Sequence, residues 1–314
     1  MVDKQATRDA YGQALVELGH MYEDIIVMDA DLSKSTKTAD FAKVFPGRFF
    51  NAGIAEQNLM GMAAGLSTCG KVVFASTFAI FATGRAYEIV RNSLAYGKLN
   101  VKVCATHAGL TVGEDGGSHQ SVEDIALMRS VPNMKVVVPA DGVSTRQALF
   151  KIYEQEGPFY LRLGRPAVPV IYDQSLELEI GRGIELKNGP DATLIACGLM
   201  VAPCLEAARL LEEQGIKVSV IDMHTIKPLD VDLVVRKARE TGAILTAEEH
   251  SIIGGLGSAV CEAVCQAFPV PVCRLGINDV FGQSGTPDQL LQHYGLNIEN
   301  IVKNVNKIME MKRL

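Results

Sequence analysis

Short apolar runs alternate with longer segments of helical periodicity along the first half of the chain. Between the runs, apolar residues recur at helical spacing, as in 7–18 and 78–96. Uninterrupted apolar runs are typical of strands buried on both faces of a parallel sheet. These runs lie at 25–28, 72–75, 101–106, 135–139 and 159–163. Strands that alternate with helices predict a doubly wound α/β domain with a mostly parallel sheet.

The pattern is interrupted between residues 166 and 190, where Pro, Gly and Asp recur and a Leu-Glu-Leu-Glu stretch is at most an edge strand. Beyond this interruption the alternation starts again, with apolar runs at 193–197, 218–222, 244–247 and 272–275. We therefore predict a first domain over 1–165, a linker over 166–190 and a second doubly wound α/β domain over 191–314.

Composition agrees with two ordinary globular domains, because 314 residues with 48% hydrophobic and 21% charged content can bury a substantial core. The net charge of −6 and the lack of a basic stretch argue against nucleic-acid binding. The first residues contain no apolar core typical of a signal peptide, and no apolar run approaches the length of a membrane span. We expect a cytoplasmic protein without a membrane partner.

The seven cysteines do not predict a metal site or a disulfide framework. Their number is odd, they are scattered among apolar neighbours, and no Cys-x-x-Cys occurs. Cys261 and Cys265 share a helix face, but the apolar residues around them favour core packing. The glycine cluster at 254–257 does not follow the spacing of a dinucleotide fingerprint. We expect reduced thiols and no metal bound by this chain.

Glu56 is the most informative carboxylate, because it begins a segment of small and apolar residues that otherwise predicts a buried helix. A buried carboxylate is either satisfied by local partners or has a raised proton affinity that catalysis can use. The first turn of a helix also favours an acid through its dipole and free N–H groups. The residues alone leave both interpretations open.

A second informative segment, residues 107–119, directly follows a predicted buried strand and is called the polar loop below. It contains two His, one Glu, one Asp and four Gly. Glycine allows backbone to approach a ligand closely, and His and Asp can bind hydroxyl or phosphate groups. Structural histidines in a tight loop are the alternative. The polar residues that follow the strand at 25–28 are also well placed for a site.

Three motifs together resemble the C-terminal half of transketolase: Gly53-Ile54-Ala55-Glu56, Thr77-Phe78-Ala79-Ile80-Phe81 and Val112-Gly113-Glu114-Asp115-Gly116. The resemblance covers essentially the whole chain, as a pyrimidine-binding domain followed by a transketolase C-terminal domain. The family's diphosphate-binding half, with its Gly-Asp-Gly…Asn metal motif, has no counterpart here. The resemblance therefore implies a split transketolase whose N-terminal diphosphate-binding subunit is a separate chain. A two-plus-two heterotetramer, with each site shared between subunits, is the simplest closed arrangement.

The resemblance implies thiamine diphosphate as a cofactor shared with the partner subunit, which would also hold Mg²⁺ or Ca²⁺. In such enzymes a glutamate at the position of Glu56 holds N1′ of the aminopyrimidine and promotes removal of the thiazolium C2 proton, a task for a carboxylate of raised proton affinity. Phe81, with Phe78 beside it, would form the apolar wall of the pyrimidine pocket. Asp31 lies where the family lines the cofactor pocket.

The resemblance also implies sugar phosphate substrates and ketol transfer between a ketose phosphate and an aldose phosphate. Asp115 would bind a hydroxyl of the donor sugar, and His119 would contact the donor near the reacting carbon. Of the two arginines in the segment 161–165, the resemblance favours Arg165 over Arg162 as a phosphate ligand. The expected contacts to the substrate phosphate are Arg8, Ser35, His107 and Arg165. With Glu56, the two histidines complete the expected catalytic set.

One position departs from the family: Gly84 stands where many full-length transketolases carry an aromatic residue. Three alternatives stay open. A 1-deoxyxylulose-5-phosphate synthase is normally one long chain, and the polar loop favours transketolase. The β subunit of a 2-oxoacid dehydrogenase would have no use for the sugar-phosphate residues. A non-catalytic regulatory subunit would not need the whole set. The sequence leaves open whether the enzyme serves pentose phosphate exchange or the breakdown of an unusual sugar.

Overall fold

The structure of the protein is a computed structural model, and it describes residues 3–312. Its strands are β1 (Lys4–Ala6), β2 (Ile25–Asp29), β3 (Phe49–Asn51), β4 (Val72–Phe78), β5 (Val101–Thr106), β6 (Lys135–Val137), β7 (Phe159–Arg162), β8 (Ala167–Pro169), β9 (Ile184–Lys187), β10 (Ala192–Ala196), β11 (Val218–Asp222), β12 (Thr225–Lys227), β13 (Ile244–Ser251) and β14 (Val272–Ile277). Its α-helices are α1 (Thr7–Met21), α2 (Ser33–Thr36), α3 (Thr38–Val44), α4 (Glu56–Thr68), α5 (Tyr87–Ile89), α6 (Asp124–Ser130), α7 (Gly142–Tyr153), α8 (Val201–Glu213), α9 (Val231–Thr241), α10 (Leu256–Ala267), α11 (Pro287–His293) and α12 (Ile298–Lys312).

The first domain is built on a seven-stranded sheet of order β12-β6-β7-β5-β4-β2-β3. All its strands run parallel except β12, which pairs antiparallel with β6 at the edge. Alternate residues of each strand enter different cores. Ile25 and Val27 join the core with α1 and α7, whereas Ile26 and Met28 join the core with α4 and α6. Helices on both faces explain why β2, β4 and β5 are buried throughout.

The second domain has a five-stranded sheet of order β14-β13-β10-β11-β9. The first four strands are parallel, and β9 is an antiparallel edge strand. Helices α8 and α12 share one core, while α9 and α10 join the other. The predicted fold class, two α/β domains with mostly parallel sheets, is confirmed. Within residues 3–312, no helix combines the length and apolar character needed to cross a bilayer.

The structure differs from the predicted linker over 166–190 and from the clean division around it. Residues 167–169 form β8, which pairs with β1, and residues 184–187 form the edge strand β9 of the second sheet. Strand β12, from the second domain, extends the first sheet. The Leu-Glu-Leu-Glu stretch at 176–179 is not a strand, although its Leu178 is buried in the core that contains α1 and α7. Strands of three or four residues carry too little periodicity to be recognised in sequence.

A buried ion pair stands where the two domains meet. Arg162, at the end of β7, donates through Nε to Asp124 Oδ2 at 2.7 Å and through Nη2 to the backbone oxygen of Glu249 in β13 at 2.9 Å. Tyr160 donates its hydroxyl to the same Asp124 oxygen at 2.6 Å. Burial alone would raise the pKa of Asp124, but the charge and hydrogen bond of Arg162, together with His250 and the Tyr160 hydroxyl, lower the pKa below its ordinary value.

We expect Asp124→Ala to lower the free energy of unfolding by about 3–5 kcal/mol, because it leaves the Arg162 guanidinium buried without a countercharge. Urea unfolding measures this change. The matched control is Glu154→Ala, which removes an exposed partner of Lys151 and should alter stability by at most about 1 kcal/mol. Equal effects of the two variants would contradict the proposed importance of the buried pair.

Candidate active site

The carboxyl ends of the parallel strands in the first sheet lie along one edge, and the predicted site residues gather there. Strand β4 ends at Phe78, and His107 directly follows β5. Helix α4 begins with Glu56 after strand β3. Because this edge of a doubly wound sheet is the usual position for ligand sites, the topology alone brings the separate motifs together.

Glu56 is buried and paired with one cation. Its side chain is only 3% exposed, and its two oxygens lie 3.0 Å and 3.1 Å from Nη1 of Arg85. The Arg85 side chain is itself 53% exposed. The partner of the carboxylate in this structure is thus a side chain from another segment, 29 residues further along the chain. Arg85 was not predicted as a site residue.

Phe78 and Phe81 form an aromatic wall next to this pair. Their rings are nearly parallel, with centroids 6.0 Å apart and an interplanar angle of 10°. The guanidinium carbon of Arg85 lies 5.0 Å from the Phe81 centroid. The ring of His119 meets Phe81 edge-on at 5.6 Å. Glu56, the aromatic wall and His119 are thus brought to one place.

The segment that carries Phe81 differs from the regular helix predicted over 78–96. Phe78 is the last residue of β4, and π-helical turns over Phe81–Arg85 and Val90–Ala95 flank the short helix α5. An extra residue in a helical turn changes the direction of every side chain after it, and such turns are frequent at functional sites. Gly84 lies within the first π-helical turn, and a Cβ there would meet no atom within 4 Å. Space is therefore open around the Cα of Gly84.

His107 connects the aromatic wall to Arg8 and Ser35. Its ring stacks on Phe78 with centroids 3.9 Å apart, and its Nε2 lies 3.1 Å from Nη1 of Arg8. The same Arg8 nitrogen donates to the backbone oxygen of Ser35 at 3.2 Å. The structure therefore brings together three of the four residues predicted to contact substrate phosphate.

The protonation state of His107 follows from its neighbours. Burial, followed by the charges of Arg8 and Arg165, lowers the pKa of His107 to about 3. A guanidinium can only donate hydrogen bonds, so Nε2 accepts from Arg8 and the proton of the neutral ring sits on Nδ1. Nδ1 then donates to the hydroxyl of Thr106, 2.9 Å away. The imidazole orients Arg8 and carries no charge of its own.

Arg165, the fourth predicted phosphate contact, lies against the polar loop. It donates to the backbone oxygen of Val112 and stands 3.8 Å from an Asp115 oxygen. Arg165 is partly exposed, whereas Arg162 is committed to the buried pair with Asp124. Of the two arginines, only Arg165 has a side chain accessible to a ligand at this edge.

Asp31 and His119 are each held by a neighbouring side chain. Asp31 has a left-handed backbone with φ of 64° and accepts a hydrogen bond from the side chain of Asn51 at 3.1 Å. The Asn51 side chain also accepts from the backbone N–H of Gly53, so Asp31 is tied to the segment that leads into Glu56. His119 is held by Ser118, whose hydroxyl lies 3.0 Å from Nδ1.

The second domain supports the polar loop through Glu249, which the sequence analysis did not single out. The Glu249 carboxylate is buried and accepts the backbone N–H of Thr111 at 2.7 Å. Gly109 has φ of 81°, and a Cβ there would lie 2.3 Å from the Glu249 carboxyl carbon. Only glycine therefore fits at this position. Burial raises the pKa of Glu249 to about 7. The acidic pair that closes the buried run at 244–247 was the available signal.

Metal ligands are not gathered at this site by the part of the chain that the structure describes. Within residues 3–312, no group of three or more His, Cys, Asp or Glu side chains is arranged to hold an ion. The arrangement instead offers a buried carboxylate, a flat aromatic wall and a cationic region around Arg8 and Arg165. These features suit a planar nitrogen heterocycle next to an anionic ligand.

We predict that the His107 ring stays neutral between pH 8 and pH 5 in the folded chain, as measured by NMR of its imidazole nitrogens, with His107→Gln identifying the signals. In the urea-unfolded chain the same ring should titrate near its ordinary pKa of about 6.5. Because only the unfolded chain takes up this proton, His107 lowers stability as the pH falls from about 6.5 towards 3. Protonation of the folded ring above pH 5 would contradict the assigned tautomer.

Two family models match the chain: "Transketolase, pyrimidine binding domain" over residues 3–170 and "Transketolase, C-terminal domain" over residues 181–301. Among curated proteins, a putative transketolase C-terminal section of Methanocaldococcus jannaschii is 52% identical over 309 residues, covering 98% of this chain and 96% of the relative. A 6-deoxy-6-sulfo-D-fructose transketolase subunit of Clostridium sp. is 40% identical over 305 residues, covering 97% of this chain and 95% of the relative.

A solved structure described as an inactive β4 tetramer of a split-gene transketolase is also similar to this chain. It is 59% identical, with a TM-score of 0.92, and the match covers 98% of this chain and 99% of the other. The family models together span most of the chain, and both the sequence relatives and the solved structure match over nearly their full lengths. The resemblance drawn from the sequence is confirmed: this chain belongs to the transketolase family, as a subunit of the split type.

Proposed function

We propose that this chain is the pyrimidine-binding subunit of a thiamine-diphosphate-dependent transketolase. It would transfer a two-carbon ketol unit from a ketose phosphate to an aldose phosphate, and it would work only with a separate diphosphate-binding subunit. One observation supports the proposal most strongly. The buried Glu56 carboxylate lies at the same edge of the first sheet as the Phe78–Phe81 wall and the Arg8–His107 pair.

The residues around Glu56 fit the aminopyrimidine end of the cofactor. Glu56 would hold the ring nitrogen N1′ and stabilise its protonated form, because a carboxylate removed from water is a strong acceptor. Phe81, with Phe78 behind it, would stack on the ring and exclude water. Asp31 would line the same pocket. Thiamine diphosphate, when bound, supplies the nucleophilic carbon that carries the two-carbon unit between sugars.

The substrate phosphate would bind at the cationic region formed by Arg8 and Arg165. Arginine suits this task because its planar guanidinium pairs two phosphate oxygens at once. His107, neutral and with Nδ1–H turned to Thr106, would act by aiming the Arg8 guanidinium. Ser35 would complete the phosphate site from the start of α2.

The polar loop would hold the sugar between the phosphate site and the cofactor. Asp115 would accept hydrogen bonds from donor hydroxyls, a role for which its partly exposed carboxylate beside Arg165 is available. His119 would contact the donor near the reacting carbon, since its ring already touches Phe81. Together with Glu56 it would act on the reacting groups, whereas His107 would act through Arg8.

The proposed dependence on a partner is supported by what this chain offers. Within residues 3–312 no metal-binding group is present, and the sequence has no Gly-Asp-Gly…Asn motif for the diphosphate and its metal. The partner would hold the diphosphate with Mg²⁺ or Ca²⁺, and two copies of each chain would form a two-plus-two heterotetramer. The name of the split-gene relative, an inactive tetramer of β chains alone, supports this dependence.

The choice of sugar is a separate question from the reaction class. One relative is named for a sulfofructose substrate, so the reaction type is compatible with different donors. The open space at Gly84 would alter the shape of the pocket compared with family members that carry an aromatic residue there. We propose sugar phosphates because Arg8 and Arg165 supply cationic groups at the far end of the site.

We expect Glu56→Gln to lower ketol transfer by the reconstituted pair at least about 100-fold, because proton transfer at N1′ would lose its acceptor. The assay mixes this chain with its diphosphate-binding partner, thiamine diphosphate and magnesium, and uses sugar phosphates that the unmodified pair converts. Glu23→Gln, at an exposed surface carboxylate, is the control and should leave turnover unchanged. Wild-type turnover by the Glu56 variant would refute the proposed function.

A further inference from the structure

In this structure Glu56 is paired with Arg85, whose side chain is free to move away into solvent. The carboxylate is buried at the start of α4, but the Arg85 side chain that neutralises it is 53% exposed. Both carboxylate oxygens are bonded to a single nitrogen, Nη1, which leaves the other donors of the guanidinium outside the pair. Such a pair is held in place by the cost of leaving Glu56 without a partner, and only weakly by attraction across a half-exposed contact.

The backbone of Arg85 is fixed, so motion would be confined to its side chain. Arg85 ends the π-helical turn, where the N–H of Ala86 bonds to the oxygen of Phe81 at 3.2 Å. The side chain of Gln57 in α4 donates to the Arg85 backbone oxygen, also at 3.2 Å. The Arg85 side chain therefore extends from a backbone that hydrogen bonds hold in place. It can meet Glu56 or turn to solvent without rearrangement of the fold.

Arg85 occupies both contacts that a pyrimidine ring would need. Its guanidinium binds the Glu56 oxygens and lies 5.0 Å from the centre of the Phe81 ring. A planar cation over an aromatic face and beside a carboxylate mimics the polar edge and flat face of an aminopyrimidine. The ring and the guanidinium cannot both hold these positions.

We propose that Arg85 gates the pyrimidine pocket: it closes the pocket by pairing with Glu56, and it turns to solvent when the aminopyrimidine takes its place. This inference rests on the proposed function. Arg85 protects the buried carboxylate in the empty subunit, and in doing so it competes with the cofactor. The apparent affinity for cofactor is then reduced by the fraction of molecules in which the gate is closed.

The test is calorimetric titration of thiamine diphosphate, with magnesium, into the complex of this chain and its partner. We expect Arg85→Gln to bind the cofactor about fivefold more tightly than the unmodified complex, because a neutral amide competes less for Glu56. Arg85→Lys keeps the charge without the planar group, so its affinity should lie between the two. Arg91→Gln, which removes an exposed arginine bonded to Asn92, is the matched control and should not change the affinity.

A second measurement uses the free chain without cofactor. Urea unfolding of Glu56→Gln, Arg85→Gln and the double variant should give a non-additive cycle, in which loss of Arg85 matters only while Glu56 is present. Additive effects, or unchanged or weaker cofactor binding by both Arg85 variants, would overturn the gate. Failure of the gate is distinguishable from failure of the function. In the first case Glu56→Gln still lowers ketol transfer at least about 100-fold, and in the second it does not.

Discussion

A carboxylate that folding removes from water must find a partner, and at this site three of them do so in different ways. Asp124 has a permanent buried countercharge in Arg162. Glu249 accepts a backbone N–H from the polar loop. Glu56 is paired with Arg85, whose half-exposed side chain can turn away into solvent. The contacts of Asp124 and Glu249 hold neighbouring segments in place. The contact of Glu56 can be exchanged for a contact with a ligand. The difference lies in the exposure of the partner.

The same constraint gives the second domain a part in the site. The Arg162 guanidinium joins Asp124 of the first domain to the backbone of Glu249 in the second. Glu249 in turn fixes the backbone of Thr111 and presses against Gly109. Strand β13 therefore supports the polar loop, which carries Asp115 and His119, through the Glu249 side chain. The second domain therefore contributes to the geometry of the candidate site.

Much of this arrangement could be predicted from sequence, because buried parallel strands leave apolar runs that local patterns reveal. The strands that lead to Phe78 and His107 were predicted at 72–75 and 101–106, whereas β3, which precedes Glu56, was not. The expectation that polar residues at strand ends form a site agrees with where the structure places these residues. The roles of Glu56, Arg8, Ser35 and His119 came from resemblance, and they stay predictions until tested. Their physical setting now supports testing each of them.

Other features depend on contacts between distant segments, which local patterns do not record. The π-helical turn at Phe81–Arg85 shifts side chains by one residue, and the regular period of 3.6 gave no sign of it. Strands β9 and β12 are too short to have a pattern, and each is defined by its partner. The role of Arg85 depends on its contact with Glu56, and the role of Glu249 depends on its contact with Thr111. Both contacts join segments that are distant in the sequence.

The most direct test of the central claim, a site shared between two chains, is ketol transfer measured for this chain alone and for an equimolar mixture with its diphosphate-binding partner. Both assays contain thiamine diphosphate and magnesium and a panel of ketose phosphate donors and aldose phosphate acceptors, which includes xylulose 5-phosphate and ribose 5-phosphate. The account predicts turnover in the mixture and none from either chain alone. Turnover by this chain alone at the rate of the mixture would contradict it, because the pyrimidine pocket would then not need a partner to complete the site.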